Sequence, residues 1–309
     1  MKTEKKERKM DRKTITVFTP AYNRADTLNR GYQALCRQTL KDFVWIIIDD
    51  GSTDNTKEVV AKWKQENNGF EIRYIYKKNG GLHTGYNVAI ANADTELMMC
   101  VDSDDYLPDD AIERIVNFWR ENGSDKYAGI VGLDYDLQGH VIGDSLPDQK
   151  SVNLIDLLIG KYPIHNGDRK NIVRTELYKA VAPMKSFPGE KNFNPHYMHL
   201  QISEKYDFLV LNENLCYVEY QPEGMSASIL KQYRNSPRSF AEIRKLYLSF
   251  RQASLKFKVR QYIHYWSSCM LAGSWCGLKN FNPLLLIFSF PAGVLLSFYI
   301  RVKTSKHKS

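Results

Sequence analysis

The first 121 residues alternate between short apolar runs and amphipathic stretches, and this alternation limits the chain to a small set of folds. The apolar runs predict four strands, at 15–19, 43–48, 72–76 and 97–101. The stretches that follow them predict four helices, at about 26–38, 55–65, 83–93 and 110–121. Strands that alternate with helices of this length are typical of a parallel sheet with right-handed crossover connections. We therefore expect an α/β fold that binds its ligand at the carboxyl ends of the strands.

The loops after the first two predicted strands contain groups that suit a nucleotide. After the first strand, Tyr22 can stack on a base and Arg24 can reach a phosphate. After the second strand, one carboxylate of the pair Asp49 and Asp50 can accept a hydrogen bond from a base or a ribose hydroxyl, and Gly51 allows close approach of the backbone. The alternative interpretation is a pair of turns that cap the helices behind them.

The fourth predicted strand ends in three carboxylates, Asp102, Asp104 and Asp105. Clustered oxygen ligands of this kind suit Mg²⁺ or Mn²⁺, and such a cation suits a diphosphate. The alternative is an Asp-rich turn before a helix, because Pro108 and Asp109 also resemble a helix entry. The sequence contains neither a GxGxxG fingerprint nor a Walker A loop, which argues against NAD and ATP as ligands.

The distribution of charge argues against nucleic acid as a partner. The formal net charge is +8, and the two ends of the chain account for all of it. Residues 1–13 contain seven Lys or Arg against three acids, and residues 301–309 contain four against none. A nucleic-acid-binding domain carries its basic patch on the folded body, which here is formally neutral. The basic ends suit an anionic membrane surface, or they keep the protein soluble.

The five cysteines show no paired spacing, which indicates reduced thiols in a cytoplasmic compartment rather than a disulfide framework. The N-terminus is charged and no apolar stretch follows it, so it does not read as a secretory signal.

Four segments, in this order, resemble the family 2 glycosyltransferases, which have a GT-A fold. They are VFTPAYNR at 17–24, IDDGSTDNT at 48–56, NGG at 79–81 and VDSDD at 101–105. The resemblance covers roughly residues 14–225. It implies a mostly parallel, Rossmann-like sheet flanked by helices, and transfer of a sugar from a nucleotide-diphosphate donor with inversion at the anomeric carbon.

The resemblance also implies a role for each matching residue. Pro20 and Tyr22 would line the base pocket, and Asp50 would bind the base. Asp102 would lie near the ribose and the sugar, and Asp104 would hold Mn²⁺ or Mg²⁺ on the diphosphate. Other candidates for contact with the donor or its diphosphate are Arg24, Asn79, His83 and Arg234. Segment 220–226 is similar to the stretch that closes over the donor in such enzymes.

Inverting transfer also needs a general base that takes the proton of the acceptor hydroxyl. The family usually carries an acid in this part of the domain, and we expect one near position 196, where the sequence has His196. A histidine can serve as a base near neutral pH. Glu190, which precedes the same segment, is the second candidate. The departure from the family pattern leaves open an alternative, a non-catalytic protein that kept the donor site and lost its base.

The C-terminal third changes character. Residues 237–279 are predicted to be helical and to pack on the catalytic domain. The run 283–300 contains no charged residue and is about as long as the shortest bilayer-spanning helix, although Pro291 and Gly293 interrupt it. Because basic residues flank the region, we favour attachment to the inner face of the cell membrane, with a single span or a buried core segment as alternatives.

These observations predict four regions: a basic N-terminus (1–13), a GT-A catalytic domain (14–230), a helical extension (231–280) and an apolar membrane-associating segment with a basic tail (281–309). We expect a cytoplasmic enzyme that moves one sugar from a donor, UDP-linked in our interpretation, to a hydroxyl of a glycan or lipid-linked glycan in surface polysaccharide synthesis. The Gln-x-x-Arg-Trp motif of processive synthases is absent, which favours transfer of single sugars.

Overall fold

The computed structural model describes residues 13–164, 167–220, 228–277 and 281–305. The chain divides into two compact units. The first unit comprises Met1–Asn79, Gly85–Pro183 and Met198–Glu219, and the second comprises Gly80–Thr84, Met184–Tyr197 and Tyr220–Ser309. The boundaries predicted from the sequence, at 13, 230 and 280, stay predictions.

The first unit is built on one eight-stranded sheet. Its strands are β1 (Ile15–Ala21), β2 (Phe43–Asp49), β3 (Glu71–Tyr76), β4 (Leu97–Cys100), β5 (Tyr127–Tyr135), β6 (Ser151–Val152), β7 (Arg169–Arg174) and β8 (Asp207–Tyr217). Their order across the sheet is β3-β2-β1-β4-β7-β5-β8-β6. Strands β3, β2, β1 and β4 are parallel, as predicted. Strand β7 is antiparallel to both of its neighbours, β5 and β8 are parallel, and β6 is antiparallel to β8.

Helices connect these strands. They are α1 (Leu28–Arg37), α2 (Thr56–Trp63), α3 (Leu82–Asn92), α4 (Ala111–Asn122), α5 (Leu154–Leu158), α6 (Thr175–Val181) and α7 (His196–Ser203). The first four helices and the first four strands coincide with the predicted ones to within about two residues at each end. Each has a buried apolar face and is bounded by turn residues, and this local pattern is visible in the sequence. The predicted fold class is therefore confirmed: a mostly parallel sheet flanked by helices, followed by a helical C-terminal region.

The core of the first unit explains why the second strand is a continuous apolar run. Every residue of β2 is buried, which is expected of a central strand in a parallel sheet covered on both faces. Trp45 of this strand takes part in an aromatic stack with Tyr32 of α1 and Trp63 of α2, and the rings of Tyr32 and Trp63 lie 4.3 Å apart at their centroids. The stack fixes both helices against the strand whose end carries Asp49 and Asp50.

The second unit contains four further helices, α8 (Ile229–Asn235), α9 (Pro237–Ser249), α10 (Leu255–Ala272) and α11 (Pro283–Ser305). The predicted helical stretch 237–279 is thus two helices. The second is capped at its start by Ser254, whose hydroxyl accepts a hydrogen bond from the amide of Phe257, and at its end by Gly273 in the left-handed conformation. The apolar run forms one continuous helix, and Pro291 and Gly293 lie within it.

Candidate active site

The order of the strands marks one place on the sheet as the ligand site. Strands β1, β2 and β3 follow one another in one direction across the sheet, whereas β4 pairs with β1 on its other side. The connection therefore changes direction between β1 and β4. In open α/β sheets, ligands bind outside the carboxyl ends of the strands at such a switch point. Seven predicted donor and metal residues lie at or just after the carboxyl ends of β1–β4: Pro20, Tyr22, Arg24, Asp50, Asn79, Asp102 and Asp104.

The loops after β1 and β2 are locked to each other. Asn23 adopts a left-handed backbone conformation with φ of 52°, its amide donates to the Ser52 hydroxyl (2.9 Å), and its side-chain oxygen accepts from the amide of Thr53 (2.8 Å). The Asp54 carboxylate accepts from the amide of Ala25 (3.1 Å). These side chains hold the loops in place and leave the neighbouring ring of Tyr22 half exposed, at 49%, and available for stacking.

The two acids at the end of β2 have different surroundings. Asp49 is 1% exposed, and its oxygens accept hydrogen bonds from the Ser52 amide and the Tyr74 hydroxyl. Asp50 forms an ion pair with Lys77, which follows β3. Lys77 was missed by sequence reasoning; the only signal was its place at the end of a predicted strand. The pairing fixes the Asp50 carboxylate at the same sheet edge as Tyr22.

Asn79 and Gly51 bring the loops after β2 and β3 into contact. The Asn79 side-chain amide donates to the Asp50 carbonyl (2.7 Å). A Cβ at Gly51 would lie 2.8 Å from the Asn79 nitrogen, and Gly51 has φ of +86°, so both space and backbone conformation require glycine here. With its nitrogen fixed in this way, the Asn79 side-chain oxygen is buried and accepts no hydrogen bond from the described residues. It is therefore a candidate acceptor for a donor group of the ligand.

The three carboxylates after β4 differ in exposure. Asp102 has an exposed edge, Asp104 is half-buried and Asp105 is buried. Dense protein around Asp102 raises the pKa of its carboxyl, and the nearby Asp104 raises it further, against the opposing effect of Lys170. Burial also raises the pKa of Asp105, to about 8, and its carboxylate accepts a hydrogen bond from the amide of Glu219 (3.4 Å). Asp105 thus supports the loop, and Asp102 and Asp104 are left for a ligand.

A buried lysine lies behind these carboxylates. Lys170 of β7 is 7% exposed, and its ammonium nitrogen lies 3.6 Å from a carboxylate oxygen of Asp134 in β5. Burial alone would lower the pKa of Lys170, but the carboxylates of Asp134, Asp105 and Asp102 raise it well above its usual range. Lys170 is therefore a fixed positive charge. The sequence signal for this group is weak: single charged residues within otherwise ordinary strands.

The structure places two other donor candidates, His83 and Arg234, in the second unit. His83 contacts the Ser186 hydroxyl through Nε2 at 3.1 Å and is 1% exposed. The Arg234 guanidinium donates to the hydroxyls of Thr304 (2.9 Å) and Ser305 (3.2 Å), in the last turn of α11. Residues 221–227, most of the segment predicted to close over the donor, lie outside the described residues, as do 1–12 and 306–309.

The two candidate bases also lie in the second unit, in different settings. The Glu190 carboxylate accepts hydrogen bonds from the Arg238 amide (2.8 Å), the Ser239 amide (2.8 Å) and the Ser239 hydroxyl (2.7 Å). It thus caps the start of α9, and both of its oxygens are occupied by these bonds. His196 begins α7, and burial lowers the pKa of its ring to about 4. Both assignments stay predictions, and the surroundings favour His196.

A bound metal would need ligands beyond this chain's own side chains. Among the described residues, no group of three or more His, Cys, Asp or Glu side chains is placed to hold a metal ion. Mg²⁺ in phosphate-transferring sites is usually held by one or two carboxylates together with substrate phosphates. The exposed edge of Asp102 and the half-buried Asp104 fit that arrangement.

Asp134 makes folding stability depend on pH. Burial raises the pKa of its carboxyl to about 6, with Asp168 and Asp102 adding to the rise and Lys170 opposing it. The folded protein then holds a proton that the unfolded chain releases at lower pH, so the contribution of Asp134 to stability is greatest in acid. We expect the free energy of unfolding, measured by urea denaturation, to fall as pH rises from about 4 to about 6. Asp134→Asn should make this slope shallower, with the remainder due to the raised pKa values of Asp105 and Asp102. Asp125→Asn, at an exposed site, should retain the full slope; equal slopes in both variants would contradict the assignment.

Comparison with known proteins agrees with the fold and the motifs. Residues 16–150 match the family model described as Glycosyl transferase family 2. The poly(ribitol-phosphate) β-N-acetylglucosaminyltransferase TarP of Staphylococcus aureus is 32% identical over 126 residues, which are 40% of this chain and 38% of TarP. Two uncharacterized Rickettsia glycosyltransferases match over 108 residues, so the chain spans only 17% of their length.

Solved structures show the same fold over nearly the whole chain. S. aureus TarS 1–349, in complex with UDP-GlcNAc, superposes with a TM-score of 0.60 at 18% identity, over 95% of this chain and 92% of that one. Mannosyltransferase PcManGT of Pyrobaculum calidifontis, in complex with GDP-Man and Mn²⁺, gives a TM-score of 0.57 at 16% identity, over 95% of this chain and 84% of that one. Because the family match contains β1–β4 and every loop of the switch point, the chain carries a glycosyl transferase family 2 domain on a GT-A-like fold.

Proposed function

We propose that this chain is an inverting glycosyltransferase that moves a single sugar from a nucleotide-diphosphate donor to a hydroxyl of a glycan or lipid-linked glycan. The observation that carries the proposal is the switch point of the sheet. There, a stacking ring, a buried amide acceptor and two accessible carboxylates follow adjacent strands. These are the groups that a base, a ribose and a metal-bound diphosphate require.

Each residue of the first unit has a distinct part in this proposal. Tyr22 stacks on the base, which packs beside Pro20. Asn79 Oδ1 accepts a hydrogen bond from an N–H of the base, and the Asp50–Lys77 pair fixes the loop that carries it. Arg24 is available to the phosphates, and Asp102 to the ribose and the sugar.

Asp104, with Asp102 beside it, would hold Mn²⁺ or Mg²⁺ on the donor diphosphate. A divalent cation there would stabilise the negative charge that develops on the departing nucleoside diphosphate. The acceptor oxygen attacks the anomeric carbon as the bond from that carbon to the diphosphate oxygen breaks. His196 takes the proton of the acceptor hydroxyl.

Two relatives support a UDP-linked donor and a polymeric acceptor. TarS has been crystallised with UDP-GlcNAc, and the name of TarP gives it a poly(ribitol-phosphate) acceptor and an N-acetylglucosaminyl group. An N-acetylhexosaminyl or hexosyl group transferred to a surface polysaccharide is accordingly the proposed substrate class. PcManGT has been crystallised with Mn²⁺, which supports the proposed metal.

The test is donor binding by titration calorimetry, with UDP-GlcNAc and UDP and with or without Mn²⁺. We expect the wild-type chain to bind UDP more tightly when Mn²⁺ is present. Asp104→Asn should remove most of that gain, because loss of even a group that only supports a metal ligand costs about 10- to 100-fold in metal affinity. The matched control, Asp125→Asn, changes an exposed acid outside the site and should bind as wild type. Binding that ignores Mn²⁺ and Asp104 would overturn the proposed metal site, and no binding of UDP species would overturn the donor.

A further inference from the structure

Helix α11 has the reverse of the usual distribution of side chains. Its inward face consists of six buried residues, which are Leu286, Ser289, Gly293, Ser297, Ile300 and Thr304. Four of these six are small or carry a hydroxyl group. Its outward face carries large apolar side chains, which are Leu284, Ile287, Phe288, Leu295, Phe298 and Tyr299. A surface helix of a soluble protein turns its apolar stripe inward and its polar side chains outward. The outward face of α11, defined by these last six residues, is suited to an apolar environment.

The inward face explains why the large residues are outside. A Cβ at Gly293 would lie 2.3 Å from Trp266 Cβ, so α11 and α10 approach too closely there for a larger residue. The Trp266 indole donates to the Leu286 carbonyl (2.8 Å). The hydroxyls of Ser289 and Ser297 donate to carbonyls of their own helix, at 3.1 and 2.7 Å. Small residues and internally satisfied hydroxyls are how helices pack together next to lipid.

The outward face is too large and too apolar for scattered surface exposure. Phe288, Leu295 and Phe298 are 78%, 70% and 66% exposed. No charged residue interrupts the helix from 283 to 300. Of the described helices, α11 is the one long and apolar enough to cross a membrane, with a mean hydropathy of 2.0 over its most apolar stretch. A contiguous exposed apolar face of this kind marks an interaction site.

The charges at the end of the helix identify the partner. Arg301 and Lys303 are exposed in its last turns, and Lys306 and Lys308 follow in the sequence without any acid. Basic residues beside an apolar face are attracted to anionic lipid headgroups, each contributing about 1 kcal/mol near the surface. We propose that the outward face of α11 docks onto an anionic phospholipid membrane, with the helix lying in the plane of the interface.

The neighbouring helix argues against a spanning orientation. The inward face of α11 is covered by α10, and the first turns of α10 carry Lys256, Lys258 and Arg260. Three cations in six residues do not enter the hydrocarbon core without partners. A pair of helices with one protein-covered face and one apolar face therefore fits a bilayer surface better than its interior. This proposal does not depend on sugar transfer, since it concerns other residues.

The test is co-sedimentation of the full chain with vesicles of phosphatidylcholine, with or without phosphatidylglycerol. We expect sedimentation with the anionic vesicles only. Leu295→Glu/Phe298→Glu should lower the bound fraction at least ~10-fold, because two charges would enter the headgroup–acyl boundary. The matched control is Leu255→Glu, at a leucine that is 65% exposed at the start of α10 and outside this face. This control should bind vesicles as wild type.

Three results would overturn the proposal. The first is a wild-type chain that stays in the supernatant with both vesicle types. The second is a double variant that sediments like the control. The third is a wild-type chain that does not bind vesicles but forms dimers, measured by light scattering, whereas the double variant stays monomeric. That result would assign the outward face of α11 to contact with a second copy of the chain. Calorimetry with UDP on the same double variant separates this proposal from the sugar-transfer proposal, since donor binding should be unchanged in it.

Discussion

Replacing His196 by alanine should lower kcat for sugar transfer by about 10²- to 10⁴-fold while leaving donor affinity unchanged, as expected for the loss of a general base. Tyr22, Asn79 and Asp104, to which the proposal assigns the base and the metal, lie in the first unit, and His196 lies in the second. Transfer is measured as UDP release with acceptor present, and donor affinity by calorimetry.

The physical case for His196 rests on its basicity. Burial lowers the pKa of its ring to about 4, which gives it nearly the proton affinity of the carboxylate that the family resemblance leads one to expect at this position. The neutral, active form is then present above that pH and is lost as pH falls through the pKa. We therefore expect the acid limb of kcat/KM near pH 4 rather than near the ordinary histidine value.

Three further variants separate a base from a structural residue. His264→Ala removes another histidine whose pKa burial lowers to about 4, and it should leave kcat unchanged. His196→Asp restores a carboxylate and should recover part of the lost rate. Glu190→Gln weakens the cap of α9 and should lower stability by about 1 kcal/mol without a comparable change in kcat.

If His196→Ala retains the wild-type rate, the base lies elsewhere. A wild type that binds UDP with Mn²⁺ but transfers nothing would favour the alternative, a donor-binding protein without catalysis.

The sequence predicts the nucleotide half of the fold well because each element there is determined locally. Strand β2 is a continuous apolar run ended by Asp49, Asp50 and Gly51, and such a pattern leaves little choice of structure. The carboxyl ends of parallel neighbours meet at one edge, so Tyr22 and Asp102 could be assigned to a common site before the structure was known.

The remaining features depend on contacts between residues far apart in sequence. Lys170 and Asp134 lie on β7 and β5, strands whose pairing no local pattern predicts. Glu190 reads as a candidate base in the sequence, and only its bonds to Ser239, 49 residues away, show it as a helix cap. The continuity of α11 through Pro291 follows from packing of its inward face on α10, which local preferences alone would oppose.

Lys170→Met should cost about 3–5 kcal/mol in the free energy of unfolding, the range expected when one partner of a buried ion pair is removed. The lysine is 7% exposed and Asp134 is 3% exposed, so the substitution leaves a buried carboxylate without its counter-ion, beside Asp105 and Asp102. Urea denaturation at neutral pH measures the loss.

The control for this prediction shows that burial, not distance, decides the effect. The ammonium of Lys161 lies only 2.6 Å from Asp156, closer than Lys170 lies to Asp134, but Lys161 is 59% exposed. Lys161→Met should therefore leave the free energy of unfolding close to that of the wild type, because solvent screens an exposed pair. Replacing both partners, as Lys170→Met/Asp134→Leu, should recover much of the loss, since no charge of that pair remains buried.

Two results would contradict this account. If Lys170→Met unfolds at the same urea concentration as Lys161→Met, the charge of Lys170 does not stabilise the buried carboxylates of Asp134, Asp105 and Asp102. If the double variant is no more stable than the single one, the loss arises from packing rather than charge.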